Sequence, residues 1–226
     1  MPRPLRDQSA GIRHVTCRGN RRQEIFRDDD DRERFLQLLE RVRRAFDWRV
    51  SAWCLMTNHF HLVLAVPEGA ISGGMQLLCG DYAQGFNWRY GLTGHLFQGR
   101  FAAEVAKHEM QVFEAIRYVD LNPERAGMEG WRWSSYWAHV RLEAPRPFHD
   151  TAWVRRFGAT WSSAAAAYER FVEDARRRDV QTRHARGLTP YMAARDLSAP
   201  VSRSRTCLGN APRGLSREAP PGGPSR

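Results

Sequence analysis

The chain has 226 residues, of which 42% are hydrophobic and 27% charged, an ordinary composition for one substantial folded domain with extensions. No uncharged apolar run approaches the roughly 18 residues of a membrane helix, and no apolar stretch follows the N-terminus, so the sequence predicts neither a membrane protein nor a secreted one. The four cysteines form no CxxC pair, which argues against a zinc ribbon or a disulfide framework and favours a reducing cytoplasm.

The net charge is +10, and most of it lies in the last third of the chain. Residues 151–226 hold 14 arginines against 6 acidic residues. Such an excess of positive charge indicates a polyanionic partner such as nucleic acid. Lys107 is the one lysine, and all the other basic residues counted in this charge are arginines. The base composition of the gene is therefore an alternative explanation for the arginine content.

A first strand is predicted over residues 11–19, where polar and apolar side chains alternate before the turn-forming pair Gly19-Asn20. Three arginines cluster at its end: Arg18, Arg21 and Arg22. From this stretch alone, the cluster is either a grip for phosphate groups or a solvated turn.

Helices and strands then alternate along the chain. An acidic run at 28–31 favours the positive end of a helix dipole and opens an amphipathic helix, which explains these carboxylates better than a metal site. Residues 48–66 are predicted to form two strands of a hairpin, with a turn or bulge between them. A second helix is predicted over 70–90, and a fourth strand within 95–106, entered through a loop.

A third helix is predicted over 107–121, ending or bending at Asn122-Pro123, because the residue before a proline avoids helical geometry. The order of elements predicts an α+β fold of the ferredoxin-like (RRM-like) kind, an antiparallel sheet with helices on one face. Residues 151–178 are predicted to add one or two helices. The chain is therefore divided into a domain over 1–140, a helical basic extension over 141–196, and a disordered tail rich in Arg, Pro, Gly and Ser over 197–226.

Two histidines in the third predicted strand carry the strongest chemical signal. His59 and His61 are two residues apart, so they share one face of a strand. Two neutral imidazoles on one face are able to hold a divalent metal ion, although a structural pair is commoner. On the third helix, Glu114, Tyr118 and Asn122 are spaced four apart and share a face if the helix persists to Asn122.

Together, the histidines and this helix face suit phosphoryl transfer to tyrosine. Asn122 would complete a site for Mg²⁺ or Mn²⁺, which accept mixed oxygen and imidazole ligands. The ion would polarise a phosphate while the Tyr118 oxygen attacks it in line, giving a covalent phosphotyrosine. The attack needs a proton acceptor. Glu114, one turn earlier, is a candidate base, and a solvent-facing glutamate is the alternative.

The segment His59-Phe60-His61 and the run from Tyr118 to Gly127 resemble the motifs of the single-tyrosine HUH transposases. They resemble more closely those of the REP-associated tyrosine transposases of bacteria. The resemblance covers residues 11–140, is weaker over 150–195 and is absent from the tail. Four further stretches match the same pattern: 18–22, 26–35, 97–101 and 131–136.

The resemblance implies a metal-dependent endonuclease and strand transferase for single-stranded DNA, often acting on hairpins from repeated palindromes. Its tyrosine bonds to the 5′ phosphate and leaves a free 3′ hydroxyl. Carried over, Tyr118 is the nucleophile, His59 and His61 are metal ligands, and Asn122 stands where relatives often have glutamine. The residues expected to contact DNA are Arg18, Asn20, Arg21, Arg22, Gln98, Arg100, Phe101, Trp131 and Arg132.

Other interpretations of these residues stay open. The same sheet would be able to grip structured single strands without cutting them, with Arg100, Phe101 and the aromatic run at 131–137 serving binding alone. The aromatic run would equally serve to clamp the domain. A third interpretation is a ferredoxin-like protein in which the histidine pair is structural. Tyr118 with the histidine pair favours the enzyme, because binding does not need them.

The expected partner is single-stranded or hairpin DNA, with no membrane involved. The resemblance implies a location in the bacterial cytoplasm, at the nucleoid. The active form is expected to be a monomer or a homodimer, since related enzymes include both.

Overall fold

The computed structural model describes residues 7–185, and within them it has four strands and five α-helices. The strands are β1 Gly11–Arg18, β2 Arg49–Leu55, β3 His59–Val66 and β4 Ala102–Val105. The helices are α1 Asp29–Ala45, α2 Ala70–Tyr90, α3 Glu109–Arg125, α4 Tyr136–His139 and α5 Trp161–Ala185, and short 3₁₀ segments cover Asn20–Arg22 and Ala152–Phe157. The predicted tail at 197–226 and the end of the predicted extension lie outside the described residues. No helix within residues 7–185 has the length and apolar character to cross a membrane.

The four strands form one antiparallel sheet in the order β2-β3-β1-β4, so β1 and β3 are central. With α1 between β1 and β2, and α2 between β3 and β4, this is the split βαβ arrangement, and the predicted ferredoxin-like α+β fold is confirmed. The predicted hairpin closes through the backbone N–H of Met56, which donates to the carbonyl of His59 (2.9 Å).

The pairing of β1 with β3 determines which side chains project together. Arg18 lies opposite His59, and Thr16 lies opposite His61. Directly opposed residues of an antiparallel pair have neighbouring Cβ atoms on the same side of the sheet. Arg18 and the two histidines therefore share one face.

Helices α1 and α2 cover the other face of the sheet, as the fold class predicts. Their apolar side chains pack on the sheet in the larger core, where the rings of Phe35 (α1) and Phe60 (β3) have centroids 4.6 Å apart. The acidic run at 28–31 caps α1: the carboxylate of Asp28 accepts a hydrogen bond from the N–H of Asp31 (2.9 Å). These carboxylates also bind Arg89 of α2, which joins the two helices.

The histidine-bearing face is also covered, in part, by helices that follow the split βαβ unit. The prediction that helices cover one face of the sheet therefore holds for α1 and α2, whereas α3 and α5 pack on the other face. Ile116 of α3 and Tyr168 of α5 belong to a second core that includes Val63 of β3. The sequence shows the apolar stripe of α3 but does not show which side of the sheet will receive it.

A buried carboxylate joins α3 to α4 and α5. Asp120 accepts hydrogen bonds from the hydroxyls of Ser135 (2.9 Å) and Tyr168 (2.6 Å), and it lies 2.7 Å from Nδ1 of His139. The side chains of Asp120 and His139 have no solvent exposure. A buried carboxylate is tolerated when its oxygens are hydrogen-bonded, so these partners fix Asp120 in one position.

Helix α3 continues to Arg125, so of the two alternatives predicted at Asn122-Pro123, an end or a bend, the end was wrong. Pro123 lies in the last turn, where it removes one backbone donor. The N–H of Ala126 still bonds to the carbonyls of Asn122 (3.2 Å) and Pro123 (3.0 Å). Leu121, Asn122 and Pro123 are all buried, and this packing outweighs the local preference against a helix before proline.

Replacing Tyr168 by phenylalanine should lower the free energy of unfolding by about 1–3 kcal/mol. The change keeps the ring that fills the second core and removes one donor from the buried Asp120. Chemical denaturation followed by circular dichroism measures the effect. Tyr90→Phe is the matched control, because the hydroxyl of Tyr90 binds Asp31 (2.9 Å) where Arg89 already pairs with that carboxylate. We expect a smaller loss there, and equal losses would contradict the importance of the buried network.

Candidate active site

His59 and His61 lie side by side on the face of β3 that α3 covers, with ring centroids 5.0 Å apart. Nδ1 of His59 is 2.7 Å from the Oδ1 atom of Asn58. Nδ1 of His61 is 2.9 Å from Nε2 of His14, which projects from β1. Each ring is held through Nδ1, which leaves Nε2 as the nitrogen that a ligand would use.

Helix α3 brings Tyr118 and Asn122 to these histidines. The ring of Tyr118 meets His61 edge-on, with centroids 5.7 Å apart, and meets His14 in the same way at 5.4 Å. The side chain of Asn122 is buried and lies close enough to His59 to affect the pKa of its imidazole. The four residues singled out from the sequence as nucleophile and metal ligands therefore converge in the fold.

Burial keeps both histidines uncharged at neutral pH. Desolvation, with the nearby positive charge of Arg18, lowers the pKa of His59 to about 4. Desolvation also holds the pKa of His61 well below its usual value, with further repulsion from His59, His14 and Arg18. Neutral imidazole is the form that ligates metal ions, so both rings are ready for that role.

Two imidazoles and one amide are the side chains at this site able to hold a divalent cation. Within residues 7–185, no group of three or more His, Cys, Asp or Glu side chains could hold a metal ion. The third member of the present set is Asn122, an amide. Its buried Nδ2 has no hydrogen-bond partner among the described residues. Nδ2 is a donor and does not ligate cations, so the amide oxygen of Asn122 is the atom that, beside two neutral imidazoles, fits an ion taking mixed nitrogen and oxygen ligands.

A cleft of ≈ 990 Å³ opens between α3 and the β1–β4 side of the sheet, and Tyr118 and His61 form part of its wall. Two acidic residues, Glu104 and Glu114, also line it. Arginines outnumber them: those in the wall are Arg18, Arg22, Arg100, Arg117 and Arg125. Gln98 is a further lining residue. A large, open, positively charged cleft suits a polyanionic chain.

The turn after β1 supports the phosphate-grip interpretation for part of the arginine cluster. A Cβ atom on Gly19 would come within 2.2 Å of a backbone carbonyl, so only glycine permits this turn. Arg21 and Arg22 follow with left-handed backbone angles (φ 51° and 62°). Arg22 joins Arg18 in the cleft wall, whereas Asn20 and Arg21 adjoin it without lining it.

Three other residues expected to contact DNA also lie outside the cleft wall. Phe101 is half-buried and packs against the larger core. Trp131 donates from Nε1 to the carbonyl of the last residue of β2 (2.9 Å), and the guanidinium of Arg32 lies 4.9 Å from its ring centroid. This position fits the clamping alternative for Trp131. Arg132 is exposed, 3.5 Å from a carboxylate of Asp29. DNA contacts by these three residues stay predictions.

Glu114 lines the cleft but forms an ion pair with Arg117, one turn later on α3. Its side chain is 48% exposed. A carboxylate already paired with a guanidinium is a weak proton acceptor, so its position fits the solvent-facing alternative better than that of a general base.

The cleft residues that were not singled out from the sequence include His14, Arg117 and Arg125. The spacing that could have identified His14 is its position four residues before Arg18 on β1, because residues four apart on a strand share a face. The signal for Arg125 was its spacing of seven residues, two helical turns, from Tyr118. Because the helix was predicted to end or bend at Asn122-Pro123, the sequence analysis did not extend this spacing to Arg125.

Comparison with known proteins supports both the fold and the motifs. The solved structure of a REP-associated tyrosine transposase bound to a REP hairpin matches with a TM-score of 0.53 and 20% sequence identity, over 68% of this chain and 91% of that one. At this identity, the likeness shows a shared fold. A family model for IS200-like transposases matches residues 8–122, from before β1 to Asn122 of α3. No curated protein matches the chain.

The family match defines the class of the protein as a transposase, a DNA-processing enzyme. More particularly, the chain belongs to the IS200-like transposase family. The resemblance to single-tyrosine transposases drawn from the motifs is thereby confirmed. The matched segment contains His59, His61, Tyr118 and Asn122, whereas α4 and α5 lie beyond it.

Without metal, the stability of the fold should fall as the pH is lowered from about 6.5 towards 4, and His59 should cause part of this loss. In the unfolded chain a histidine takes up its proton near pH 6.5, whereas His59 in the folded protein does so only near pH 4. Between these values the unfolded state binds more protons and gains stability, by about 3 kcal/mol once the transition is complete.

His59→Gln should remove this part of the pH dependence, as measured by chemical denaturation at a series of pH values with a chelator present. His95→Gln, at an exposed position, is the matched control and should behave like the unmodified protein. A pH dependence of His59→Gln identical to that of the unmodified protein would show that His59 takes up its proton equally in both states.

Proposed function

We propose that the protein is a metal-dependent endonuclease and strand transferase for single-stranded DNA, acting through a covalent bond between Tyr118 and a 5′ phosphate. The observation that carries this proposal is the surroundings of Tyr118, whose ring contacts His61 in a cleft lined by five arginines. Tyr82 and Tyr168 are enclosed in the two cores, whereas Tyr118 is half-buried at the edge of the second core and lines the cleft. Tyr118 lies instead beside the path that a polyanionic strand would take.

His59, His61 and Asn122 would hold the metal ion, Mg²⁺ or Mn²⁺. When bound, the ion supplies Lewis-acid polarisation of the scissile phosphate. His14 and Asn58 support the ligands: each engages an Nδ1 atom, which fixes the orientation of His61 and His59 and directs Nε2 to the site.

Tyr118 would be the nucleophile. Its hydroxyl oxygen bonds to phosphorus while the bond from phosphorus to the 3′ oxygen breaks. The phenolic proton passes to water in the open cleft, and the departing 3′ oxygen takes up a proton. Arg18, which lines the same cleft as Tyr118 and lies opposite His59, would neutralise the phosphate during the transfer. Attack by a 3′ hydroxyl on the phosphotyrosine reverses these steps and joins two strands.

The proposed substrate is a DNA hairpin from repeated palindromic sequence, in transposition or in a domesticated derivative of it. The similar transposase of known structure is bound to a REP hairpin, which supports this choice. Arg22, Gln98 and Arg100 would contact the strand within the cleft, and Asn20 and Arg21 would contact it from the adjoining turn. Because Tyr118 meets His61 of its own chain, a monomer would suffice as the active unit.

Incubation of the full-length protein with a labelled single-stranded hairpin and Mg²⁺ or Mn²⁺ should give a covalent adduct that survives a denaturing gel. Tyr118→Phe should abolish the adduct because it removes the attacking oxygen, and a chelator should abolish it because the phosphate is no longer polarised. Hairpin binding by Tyr118→Phe, measured by fluorescence anisotropy, should be retained.

Two variants serve as controls for this experiment. Tyr136→Phe changes a half-buried tyrosine outside the cleft wall and should form the adduct normally. His61→Ala should abolish the adduct and largely spare hairpin binding, and loss of both would indicate a structural role. Binding of several hairpins by the unmodified protein without any adduct would sink the enzyme proposal and favour a non-cleaving regulator.

Hairpin affinity should depend on salt through the cleft arginines. Arg100→Gln should weaken binding and reduce the slope of log K against log salt by about 0.7 to 0.9, the value for one phosphate contact. Arg44→Gln is the matched control, since Arg44 is exposed on α1 and does not line the cleft. Equal slopes for Arg100→Gln and the unmodified protein would remove Arg100 from the DNA interface.

A further inference from the structure

Helix α5 is joined to α3, the helix that carries Tyr118, by three arginine contacts. Arg176 of α5 makes two hydrogen bonds of 2.6 Å to the carboxylate of Glu124. Arg117 of α3 donates to the carbonyl of Phe171 (3.2 Å). In the third contact, Nε of Arg125 on α3 lies 2.7 Å from Oδ2 of Asp179 on α5. The first two contacts are sufficient to hold α5 against α3, without the third.

The third contact differs because Arg125 also reaches the nucleophile. Its guanidinium carbon lies 4.9 Å from the ring centroid of Tyr118. The two residues are seven apart, so they share one face of α3, and both line the cleft together with Arg18. The carboxylate of Asp179 accepts from Nε of Arg125, which holds this edge of the guanidinium in place.

We propose that Arg125 contacts the phosphate during transfer to Tyr118, and that Asp179 positions it, so that α5 completes the active site. This inference rests on the proposed phosphotyrosine chemistry. As the Tyr118 oxygen bonds to phosphorus and the 3′ oxygen leaves, negative charge is spread over the non-bridging phosphate oxygens. A phosphate joined to the Tyr118 hydroxyl lies beside the guanidinium that covers the ring. A guanidinium binds such oxygens in a forked geometry.

Asp179 acts on the reaction only through Arg125. A long, flexible arginine loses less entropy on binding phosphate when one edge is already fixed by a carboxylate. Asp179 is 35% exposed, and Arg125, which is 18% exposed, lines the cleft that would receive the strand. The carboxylate that fixes the arginine comes from a segment beyond the residues matched by the family model.

The test compares single-turnover adduct formation and hairpin affinity in the full-length protein. Arg125→Ala should slow adduct formation by about 100-fold, the loss typical of one transition-state donor, with little change in affinity. Added guanidinium ion at millimolar concentration should restore part of the rate, which a merely structural role would not allow. Asp179→Asn, which keeps the shape of the side chain, should slow the reaction by about tenfold, a typical loss when a group that orients a functional side chain is removed.

Asp174→Asn is the matched control on α5, because Asp174 is 65% exposed and, among the described residues, its carboxylate pairs with Arg177. It should react at the unmodified rate. Normal rates in Arg125→Ala and Asp179→Asn would overturn the inference and leave the proposed function standing. So would a loss of affinity that matches the loss of rate without rescue by guanidinium. Failure of the unmodified protein to form any adduct would overturn the proposed function as well.

Discussion

The site depends on one buried carboxylate. Asp120 lies on α3 midway between Tyr118 and Asn122, and its hydrogen-bonded partners come from α4, α5 and the segment before α4. On a helix, residues two apart point to nearly opposite sides. Anchoring Asp120 on the side of α4 and α5 therefore turns Tyr118 and Asn122 towards the sheet, where the histidines are. The residue that fixes the helix is thus distinct from the residues that would act on DNA.

The register between β1 and β3 supplies the other half of the site. A shift of one residue would turn His59 and His61 into the larger core and bring apolar side chains to the cleft. The apolar residues between and after the histidines prevent this shift, because Phe60 is wholly buried against α1. The same register sets Arg18 opposite His59. The packing of the larger core therefore determines the chemistry of the opposite face.

Local patterns in the sequence were sufficient for the order of elements, the hairpin and the histidine pair, because each depends on spacing along the chain. They were insufficient where distant partners decide. An end of α3 at Asn122-Pro123, one of the two predicted alternatives, was wrong because tertiary packing buries Pro123 within the last turn of the helix. Trp131 has the composition of a base-stacking residue, yet its N–H bonds to a carbonyl 76 positions away. Arg125 became part of the site only once α3 was seen to extend beyond Asn122.

The clamping of α3 has a consequence for how strands would be exchanged. The helix is held by the sheet on one side, by Asp120 and its partners on another, and by α5 along its last two turns. In the proposed reaction, a strand attached to Tyr118 would be bound to a helix that moves little. The cut and the incoming 3′ ends would then have to change places by movement of the DNA itself, so the flexibility of the hairpin, rather than a swing of the protein, would limit rejoining.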